Sequence, residues 1–318
     1  MQAVSMVQLP QRLLAPADRW GLSIRCVTDP VEAERARHGA EIWIGYGSEG
    51  RGLGKEVEAA ERLRWYHVLS AGVDPLPLEE LARRHVIVTN SRGIHAIPIA
   101  EYVIGAMLAN ERHFYQLWEA QRAHSWQSKE EVGELSGKSV VIVGTGAIGN
   151  AIAARARALG MRVFGVNTAG RLTPGYHRIW PVTQLKEAAS LADYFVLALP
   201  LTRATYHLVD VQVLSHMRPS AVLINIARGR VVDEMALLNA LTQGRIRGAV
   251  LDVVENEPLP ADHPFWSMPN VWITAHSSGH SPFYLDRAMA IFWSNVPLFL
   301  QGAPLEQWIN VVDLERGY

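Results

Sequence analysis

The stretch Ser139-Val-Val-Ile-Val-Gly144-Thr-Gly146-Ala-Ile-Gly149 is the strongest structural signal in the chain. Its apolar half is typical of a strand buried on both faces. Its glycine-rich half leads into the Ala-rich segment from Asn150 to Leu159, which predicts a helix. Between a strand and a helix, the three glycines allow a tight turn, a close approach of a pyrophosphate, and close packing. The alternative is an ordinary glycine-rich turn, but we expect Gly144, Gly146 and Gly149 to bind a dinucleotide.

Apolar runs and helical segments alternate on both sides of this stretch, which indicates a parallel α/β architecture with a doubly wound sheet. The predicted strands that follow it are Met161 to Asn167, Tyr194 to Leu199, Ala221 to Ala227, Ile246 to Val254 and Val271 to Ala275. The predicted strands of a second, smaller α/β domain are Ser23 to Val27, Glu41 to Tyr46, Arg64 to Ser70 and Val86 to Asn90. Ile97 to Trp118 predicts one long helix that crosses between the domains.

The composition is that of an ordinary globular protein. Of 318 residues, 49% are hydrophobic and 19% are charged, and the length favours two domains. The net charge of −1 lacks the basic excess typical of proteins that bind nucleic acid or anionic membranes. Cys26 is the only cysteine, no signal-peptide pattern is present, and no apolar run reaches the ~18 residues of a membrane helix. We expect a cytoplasmic protein with no nucleic-acid or membrane partner.

In a dinucleotide-binding fold, the residue at the end of the second strand discriminates between NAD and NADP. NAD sites usually place Asp or Glu there, which accepts a hydrogen bond from the ribose 2′-hydroxyl. This chain has Asn167, followed by Thr-Ala-Gly-Arg171. No carboxylate repels a 2′-phosphate there, and Arg171 is near enough to pair with one, so we predict NADP in preference to NAD. The alternative is that Arg171 is a solvated loop charge.

Three polar residues each follow a predicted strand: Arg228, Glu257 and His276. Because the carboxyl ends of parallel strands share one edge, where ligands bind, we expect these side chains to converge beside the dinucleotide. A histidine can supply a proton to a carbonyl oxygen near neutral pH, and a carboxylate can orient it. An arginine can bind carboxylate and carbonyl oxygens through its planar fork. The set predicts transfer of a hydride from the cofactor to a 2-oxo acid.

Each of these residues also has a structural interpretation. Arg228 would then be a surface charge and His276 a structural histidine. Glu257 would be a solvated loop carboxylate, and Glu255 could take its place. His276 and His280 have the spacing of metal ligands on a helix, but the Ser-Ser-Gly between them argues against a helix, and we expect no metal site.

One loop of the first domain, Leu69-Ser-Ala71-Gly72-Val73-Asp74, follows a predicted strand. Small residues there would expose backbone N–H groups to a substrate carboxylate, as an anion nest does. Ala71, Gly72 and Val73 are therefore candidate substrate contacts. The alternative is a plain turn.

These motifs in combination resemble the D-isomer-specific 2-hydroxyacid dehydrogenases, from about Arg64 to Asn310. The substrate loop and the nucleotide turn of that family are similar to Ser70–Asp74 and Gly144–Gly149. Its further signatures are similar to Leu199-Pro-Leu-Thr202, Asn225-Ile-Ala-Arg-Gly229, Leu251-Asp-Val-Val-Glu-Asn-Glu-Pro-Leu259 and Thr274-Ala-His276. The resemblance implies that the family's catalytic arginine, glutamate and histidine fall on Arg228, Glu257 and His276, with Arg228 also binding substrate.

The resemblance implies D-stereospecificity, a homodimer and a split domain organisation. A flavodoxin-like α/β substrate domain would comprise residues 1–95 and 276–318, and a dinucleotide-binding domain residues 96–275. The further cofactor contacts implied are Ala147, Ile148, Leu199, Pro200, Ile226, Ala227, Asp252 and Gly279. Asn167 departs from the family's usual acid, and the first 60 residues match poorly.

The turn from Asn167 to Arg171 favours, within this family, the glyoxylate or hydroxypyruvate reductase type. Two alternatives remain open. One is a dinucleotide-sensing binding protein, like the corepressors that resemble the family. The other is a dehydrogenase of formate or phosphite.

Overall fold

A computed structural model describes residues 1–47, 53–73, 75–127 and 132–315. The chain divides into two compact units, one formed by Met1–Ile94 with Ser281–Tyr318 and the other by His95–His280. None of the helices in the described ranges has the length and apolar character that crossing a membrane requires. That one domain binds substrate and the other binds the dinucleotide stays a prediction.

The first unit contains a five-stranded parallel sheet in the order β2-β1-β3-β4-β5, which is the flavodoxin-like order. Its strands are β1 Gln2–Ser5, β2 Ser23–Cys26, β3 Ile42–Gly45, β4 Trp65–Val68 and β5 Ile87–Asn90, with helices α1 Gln11–Leu14, α2 Pro30–Gly39, α3 Leu53–Ala59 and α4 Leu78–Arg83. The sequence did not predict β1, which has only four residues and polar ends. Ser5 at its end is fully buried, and its hydroxyl is satisfied there because it donates to the Val7 carbonyl at 2.7 Å.

The second unit contains a seven-stranded parallel sheet in the order β12-β11-β10-β9-β6-β7-β8. Its strands are β6 Ser139–Val143, β7 Arg162–Asn167, β8 Arg178–Pro181, β9 Tyr194–Leu197, β10 Val222–Asn225, β11 Gly248–Leu251 and β12 Val271–Ile273, with helices α5 Ala96–Glu111, α6 Phe114–Arg122, α7 Ala147–Ala158, α8 Leu185–Ala189, α9 Val211–His216 and α10 Glu234–Thr242. The order reverses between β6 and β9, which is the switch point of a doubly wound sheet. The predicted α/β fold class is confirmed.

Alternate residues of β6 enter different cores. Val141 and Val143 pack into the cluster on one face, and Val140 and Ile142 into the cluster on the other. All four are buried, which explains why the strand is an unbroken apolar run. Strand β8 was not predicted because it starts with a charge and ends in proline, a composition that is tolerated at the edge of a sheet.

The prediction of one long helix from Ile97 to Trp118 is wrong. α5 ends at Glu111, and α6 starts at Phe114. Between them His113 has a φ of 54°, a left-handed conformation that a continuous helix does not contain. Apolar residues continue across the break, so their spacing in the sequence does not reveal it.

The C-terminal residues return to the first unit through α11 Tyr284–Gln301. Phe292 and Phe299 of this helix lie against Trp65 of β4, with ring centroids 4.8 and 5.4 Å away. Trp308 contacts the same indole edge-on at 5.2 Å. The helix therefore covers one face of the five-stranded sheet with aromatic packing.

His67 in β4 lies fully buried in this region. Its Nδ1 is 2.9 Å from Thr89 Oγ1, and its Nε2 is 3.1 Å from the Ala288 carbonyl in α11. Because Trp65 Nε1 donates to Thr89 Oγ1, the Thr89 hydroxyl can donate to Nδ1 while the His67 Nε2–H donates to Ala288. The neutral ring thus satisfies both nitrogens, and burial lowers the pKa of His67 from 6.5 to about 4.

The stability of the protein should therefore depend on pH through His67. The folded state binds this proton less tightly than the unfolded chain, so the free energy of unfolding is unaffected above pH 6.5 and falls by about 3 kcal/mol as the pH drops from 6.5 to 4. In His67→Gln this component of the decline should be absent, whereas replacement of the exposed His38 by Gln should leave it. Urea unfolding across this pH range measures the slope, and a wild-type slope in His67→Gln would contradict the assignment.

Candidate active site

The glycine turn after β6 forms an open cradle at the start of α7. A Cβ on Gly144 would lie 2.2 Å from the Ala198 oxygen, and one on Gly149 would lie 2.0 Å from the Gly144 oxygen. Gly146, the N-cap of α7, is exposed, and a Cβ there would meet nothing within 4 Å. No side chain caps the helix. The first amides of α7 therefore face an open space lined by backbone, and these residues fit the pyrophosphate of a dinucleotide.

The other residues predicted to bind cofactor follow strands of the same sheet at their carboxyl ends. Asn167 ends β7, Leu199 and Pro200 follow β9, Ile226 and Ala227 follow β10, Asp252 follows β11, and Gly279 follows β12. The side chains of Ile226, Ala227 and Asp252 are buried.

Asn167 closes a short loop onto Arg171. The Asn167 Nδ2 group donates to the Arg171 carbonyl at 2.9 Å and to Thr145 Oγ1 at 3.1 Å. The Arg171 N–H donates back to Asn167 Oδ1 at 3.1 Å. The guanidinium of Arg171 is exposed and has no ion pair within the described residues. The amide of Asn167 thus fixes the backbone from which this free cation projects.

His276 and Glu257 form a hydrogen-bonded pair beyond the ends of β12 and β11. The His276 Nδ1 lies 2.8 Å from Glu257 Oε2, and the two side chains are 51% and 39% exposed. A carboxylate only accepts, so Nδ1 carries a proton and donates it to the contact. Within the described residues Nε2 has no hydrogen-bond partner, so it can exchange a proton with a ligand.

Glu255, the alternative to Glu257, points elsewhere. Its carboxylate lies 3.8 Å from His207 Nε2 and 4.0 Å from Arg230 Nε. The structure therefore brings Glu257, and not Glu255, to the imidazole of His276. The described residues contain no group of three or more His, Cys, Asp or Glu side chains arranged to hold a metal ion.

Arg228 follows β10 at the same edge of the sheet, and its side chain is exposed. Its NH1 donates to the Ala227 carbonyl at 2.7 Å. In the part of the chain that is described, it makes no ion pair with a carboxylate and no contact with His276. The buried Asn225, which the sequence analysis did not single out, shapes this turn by donating to the Arg228 carbonyl and accepting from the Ala227 N–H. Arg228 is thus an exposed cation without a carboxylate partner among the described residues.

Asp252 fixes the loop that carries His276. Its buried carboxylate accepts hydrogen bonds from the Thr274 hydroxyl at 2.5 Å and from the backbone N–H groups of Ser277 and Ser278 at 2.9 and 3.1 Å. Its own carbonyl accepts from the His276 N–H at 2.9 Å. These contacts stabilise His276 in a left-handed conformation with a φ of 49°, which is costly for a residue other than glycine.

Tyr102 on α5 completes this network. Its hydroxyl lies 2.8 Å from Thr274 Oγ1. Because Thr274 uses its own proton for Asp252, Tyr102 must be the donor. Burial raises the pKa of Tyr102 to about 12, so it keeps that proton at neutral pH.

In the loop of the first unit that the sequence predicts to bind substrate, the carbonyls have hydrogen-bond donors within that unit. Asn90 Nδ2 donates to the Ala71 carbonyl at 2.7 Å, and the Ser70 hydroxyl donates to the Gly72 carbonyl at 2.7 Å. The N–H groups of Ala71, Gly72 and Val73 donate to no acceptor among the described residues. The Val73 side chain is core, and Asp74 lies outside the described residues. The loop therefore has carbonyls that are occupied and N–H groups that have no acceptor among the described residues.

Comparisons with known proteins agree with this architecture. Residues 104–278 match the family described as D-isomer specific 2-hydroxyacid dehydrogenase, NAD binding domain. Over 262 residues, which are 80% of this chain and 81% of the relative, the sequence is 34% identical to glyoxylate/hydroxypyruvate reductase B of Pectobacterium carotovorum.

Solved structures of the same kind cover nearly the whole chain. One is a D-isomer specific 2-hydroxyacid dehydrogenase family protein from Aeromonas salmonicida, with a TM-score of 0.87, 35% identity, and coverage of 98% of this chain and 99% of that one. Another is a D-isomer specific 2-hydroxyacid dehydrogenase from Xanthobacter autotrophicus in complex with NADPH and MES, with a TM-score of 0.79, 27% identity, and coverage of 100% and 99%.

Replacing Asp252 by Asn should destabilise the protein. Asparagine keeps one accepting oxygen, but that oxygen is uncharged, so the three hydrogen bonds to it are weaker. Its NH₂ group would also face the Ser278 N–H, which donates to both carboxylate oxygens of Asp252, at a cost of about 1–3 kcal/mol. Asp210→Asn is a matched control, because Asp210 also accepts from two amides but as an N-cap, where Asn serves equally well. Urea unfolding measures both variants, and equal stabilities would contradict the role given to Asp252.

Proposed function

The chain belongs to the D-isomer-specific 2-hydroxyacid dehydrogenases, and from this premise we propose that it reduces a small 2-oxo acid, such as glyoxylate or hydroxypyruvate, with NADPH as the favoured cofactor. The observation that carries the proposal is the His276–Glu257 pair at 2.8 Å. It lies at the sheet edge that also presents the open glycine turn and the unpaired Arg228. Glyoxylate and hydroxypyruvate are the proposed substrates because the Pectobacterium relative, which is 34% identical to this chain, is named for them.

The three side chains have distinct roles in this proposal. Reduction of a ketone places negative charge on the carbonyl oxygen, and His276 donates a proton to it from Nε2. Glu257 orients the ring through Nδ1 and stabilises the imidazolium. Arg228 binds the substrate through its planar fork, since no carboxylate among the described residues pairs with it. A bound nicotinamide supplies the hydride.

The first unit contributes a separate part of the proposal. The free amides of Ala71, Gly72 and Val73 would bind the carboxylate that every 2-oxo acid carries, because successive backbone N–H groups form an anion-binding concavity. Asn90 and Ser70 support this role by binding the carbonyls of the loop.

Preference for NADPH rests on the loop from Asn167 to Arg171. Asn167 uses its amide for Thr145 and for the backbone of Arg171, so no carboxylate at this strand end repels a 2′-phosphate. The exposed Arg171 supplies a cation for that phosphate. The Xanthobacter protein is named as a complex with NADPH, which agrees with this preference.

A homodimer in the cytoplasm stays a prediction. Three aromatic side chains on one short helix support the dimer, because Phe114, Tyr115 and Trp118 of α6 are about half exposed, at 55%, 47% and 51%. A second copy of the chain is the occupant that the family resemblance favours for this surface.

Replacing His276 by Ala should lower kcat for the best 2-oxo acid by about 10²–10⁴-fold, because the proton donor is lost. Binding of NADPH should change little. The control is His216→Ala, which removes an exposed imidazole from α9 and should keep wild-type kinetics.

Steady-state assays with glyoxylate, hydroxypyruvate, pyruvate, phenylpyruvate, formate and phosphite measure this effect and define the substrate class. An unchanged kcat in His276→Ala would remove His276 from the mechanism. Wild-type turnover of formate or phosphite alone would favour that type of dehydrogenase. Binding of NADPH with no turnover of any acid would favour a dinucleotide sensor.

Replacing Arg171 by Ala should lower the ratio of kcat/KM for NADPH to that for NADH by about 10–150-fold, because a charge-assisted hydrogen bond contributes roughly 1.5–3 kcal/mol. The control is Arg162→Ala, an exposed arginine at the opposite end of β7. A wild-type ratio that favours NADH would refute the NADPH preference. Adding Asn167→Asp to Arg171→Ala should change the cofactor preference to NADH. The double variant also loses the hydrogen bond from the Asn167 side chain to the carbonyl of residue 171, because a carboxylate cannot donate.

A further inference from the structure

Backbone contacts fix the turn that carries Glu257 in place within the second unit. A Cβ on Gly229 would fall 1.9 Å from the Val254 oxygen and 2.4 Å from the Glu255 nitrogen, so this peptide lies directly against Gly229. The Glu255 N–H donates to Oε2 of Glu234 at 3.1 Å. The preceding N–H, of Val254, donates to Oε1 of Glu257 at 3.3 Å. Consecutive amides of one turn thus bind two different carboxylates.

Glu234 is itself fixed in place. It is the first residue of α10, and its side chain is 16% exposed. Its Oε1 lies 3.3 Å from Nε2 of His263. The His263 Nδ1 accepts from the Phe265 N–H, so the ring proton is on Nε2, the nitrogen that faces Glu234. One carboxylate oxygen of Glu234 therefore accepts from the Glu255 N–H, and the other lies beside an imidazole.

The side chain of Glu255 attaches the turn less firmly than its backbone does. Its contacts with His207 and Arg230, at 3.8 and 4.0 Å, are beyond hydrogen-bonding distance. Gly229 limits where the Val254–Glu255 peptide can move, and among the described residues Glu234 is the acceptor that orients its N–H group.

We propose that Glu234 is a positioning residue for the reaction proposed above. By fixing the Val254–Glu255 peptide, it directs the Val254 N–H at Glu257 and so keeps the Glu257 carboxylate against His276. The inference rests on the proposed function, because orientation of His276 has a catalytic consequence only if His276 transfers a proton. Without Glu234 the turn has one attachment fewer, and the contact between Glu257 and His276 is formed for less of the time.

The first test needs no activity. Glu234→Gln keeps the size and shape of the side chain. Its NH₂ group, however, must face either the Glu255 N–H or the His263 Nε2–H, so that one donor is set against another. Hydrogen exchange measured by mass spectrometry should show faster exchange of the 254–257 amides in this variant than in wild type. The control is Glu101→Gln, which removes an exposed carboxylate (65%) from α5 and should leave that exchange unchanged.

The second test separates positioning from general destabilisation. Glu234→Gln should lower kcat about tenfold, equivalent to about 1.4 kcal/mol of transition-state stabilisation, with KM for NADPH unchanged. If Glu234 acts through Glu257, the same substitution made in a Glu257→Gln background should lower kcat no further. A purely structural role would cost the same factor in both backgrounds.

Three results would each overturn the inference. They are unchanged exchange in Glu234→Gln, a wild-type kcat in that variant, and equal losses of kcat in the wild-type and Glu257→Gln backgrounds. If wild type reduces no 2-oxo acid, the proposed function fails, and the exchange test still decides whether Glu234 fixes the turn. If circular dichroism shows Glu234→Gln to be unfolded, His263→Phe is the second variant. It should keep the ring contact with Phe265, remove the imidazole nitrogen that faces Glu234, and accelerate the same exchange.

Discussion

Every strand of the seven-stranded sheet runs in the same direction, and this constraint determines where chemistry can occur. Parallel strands require crossover helices, which cover both faces of the sheet, so the strands themselves are apolar and buried. Polar side chains with a binding or reactive role are therefore confined to the turns at the strand ends. Arg228, Glu257, His276 and the glycines after β6 lie in such turns, and Asn167 is the last residue of its strand.

Neighbouring turns at this edge are joined to one another by backbone contacts. Gly144 after β6 packs against Ala198 after β9, and Gly229 after β10 packs against Val254 after β11. The carboxylate of Asp252 then binds the loop after β12. Two of these junctions require glycine because a Cβ would overlap a neighbouring carbonyl. The glycines thus have a packing role besides any role in ligand approach, and each turn is stabilised by the next one along the sheet.

The sequence predicts the parts of the site that depend on local pattern. The apolar run with its glycine turn identifies β6 and α7, and the order of strands places Arg228, Glu257 and His276 at one edge. Features set by tertiary contacts are not predicted. His113 interrupts a helix without a change in apolar pattern, and β1 and β8 are defined by their neighbours in a sheet. The role of Glu234 is of the same kind, because nothing in its sequence surroundings shows that it accepts the N–H of Glu255.

Two carboxylates after β11 have opposite environments. Asp252 is 2% exposed, and the hydroxyl of Thr274 and the amides of Ser277 and Ser278 all donate to it. Three donors on one buried carboxylate suit a fixed attachment point for the loop that follows β12.

Glu257 is 39% exposed and shares one imidazole proton with His276. Because solvent reaches Glu257, the proton transfer proposed at His276 would not disturb the buried network. The short segment from Asp252 to Glu257 thus carries two carboxylates with separate contacts. The buried one binds the backbone around His276, and the accessible one binds its imidazole. That separation would allow the proton transfer proposed at His276 while the loop that carries this strained residue stays in place.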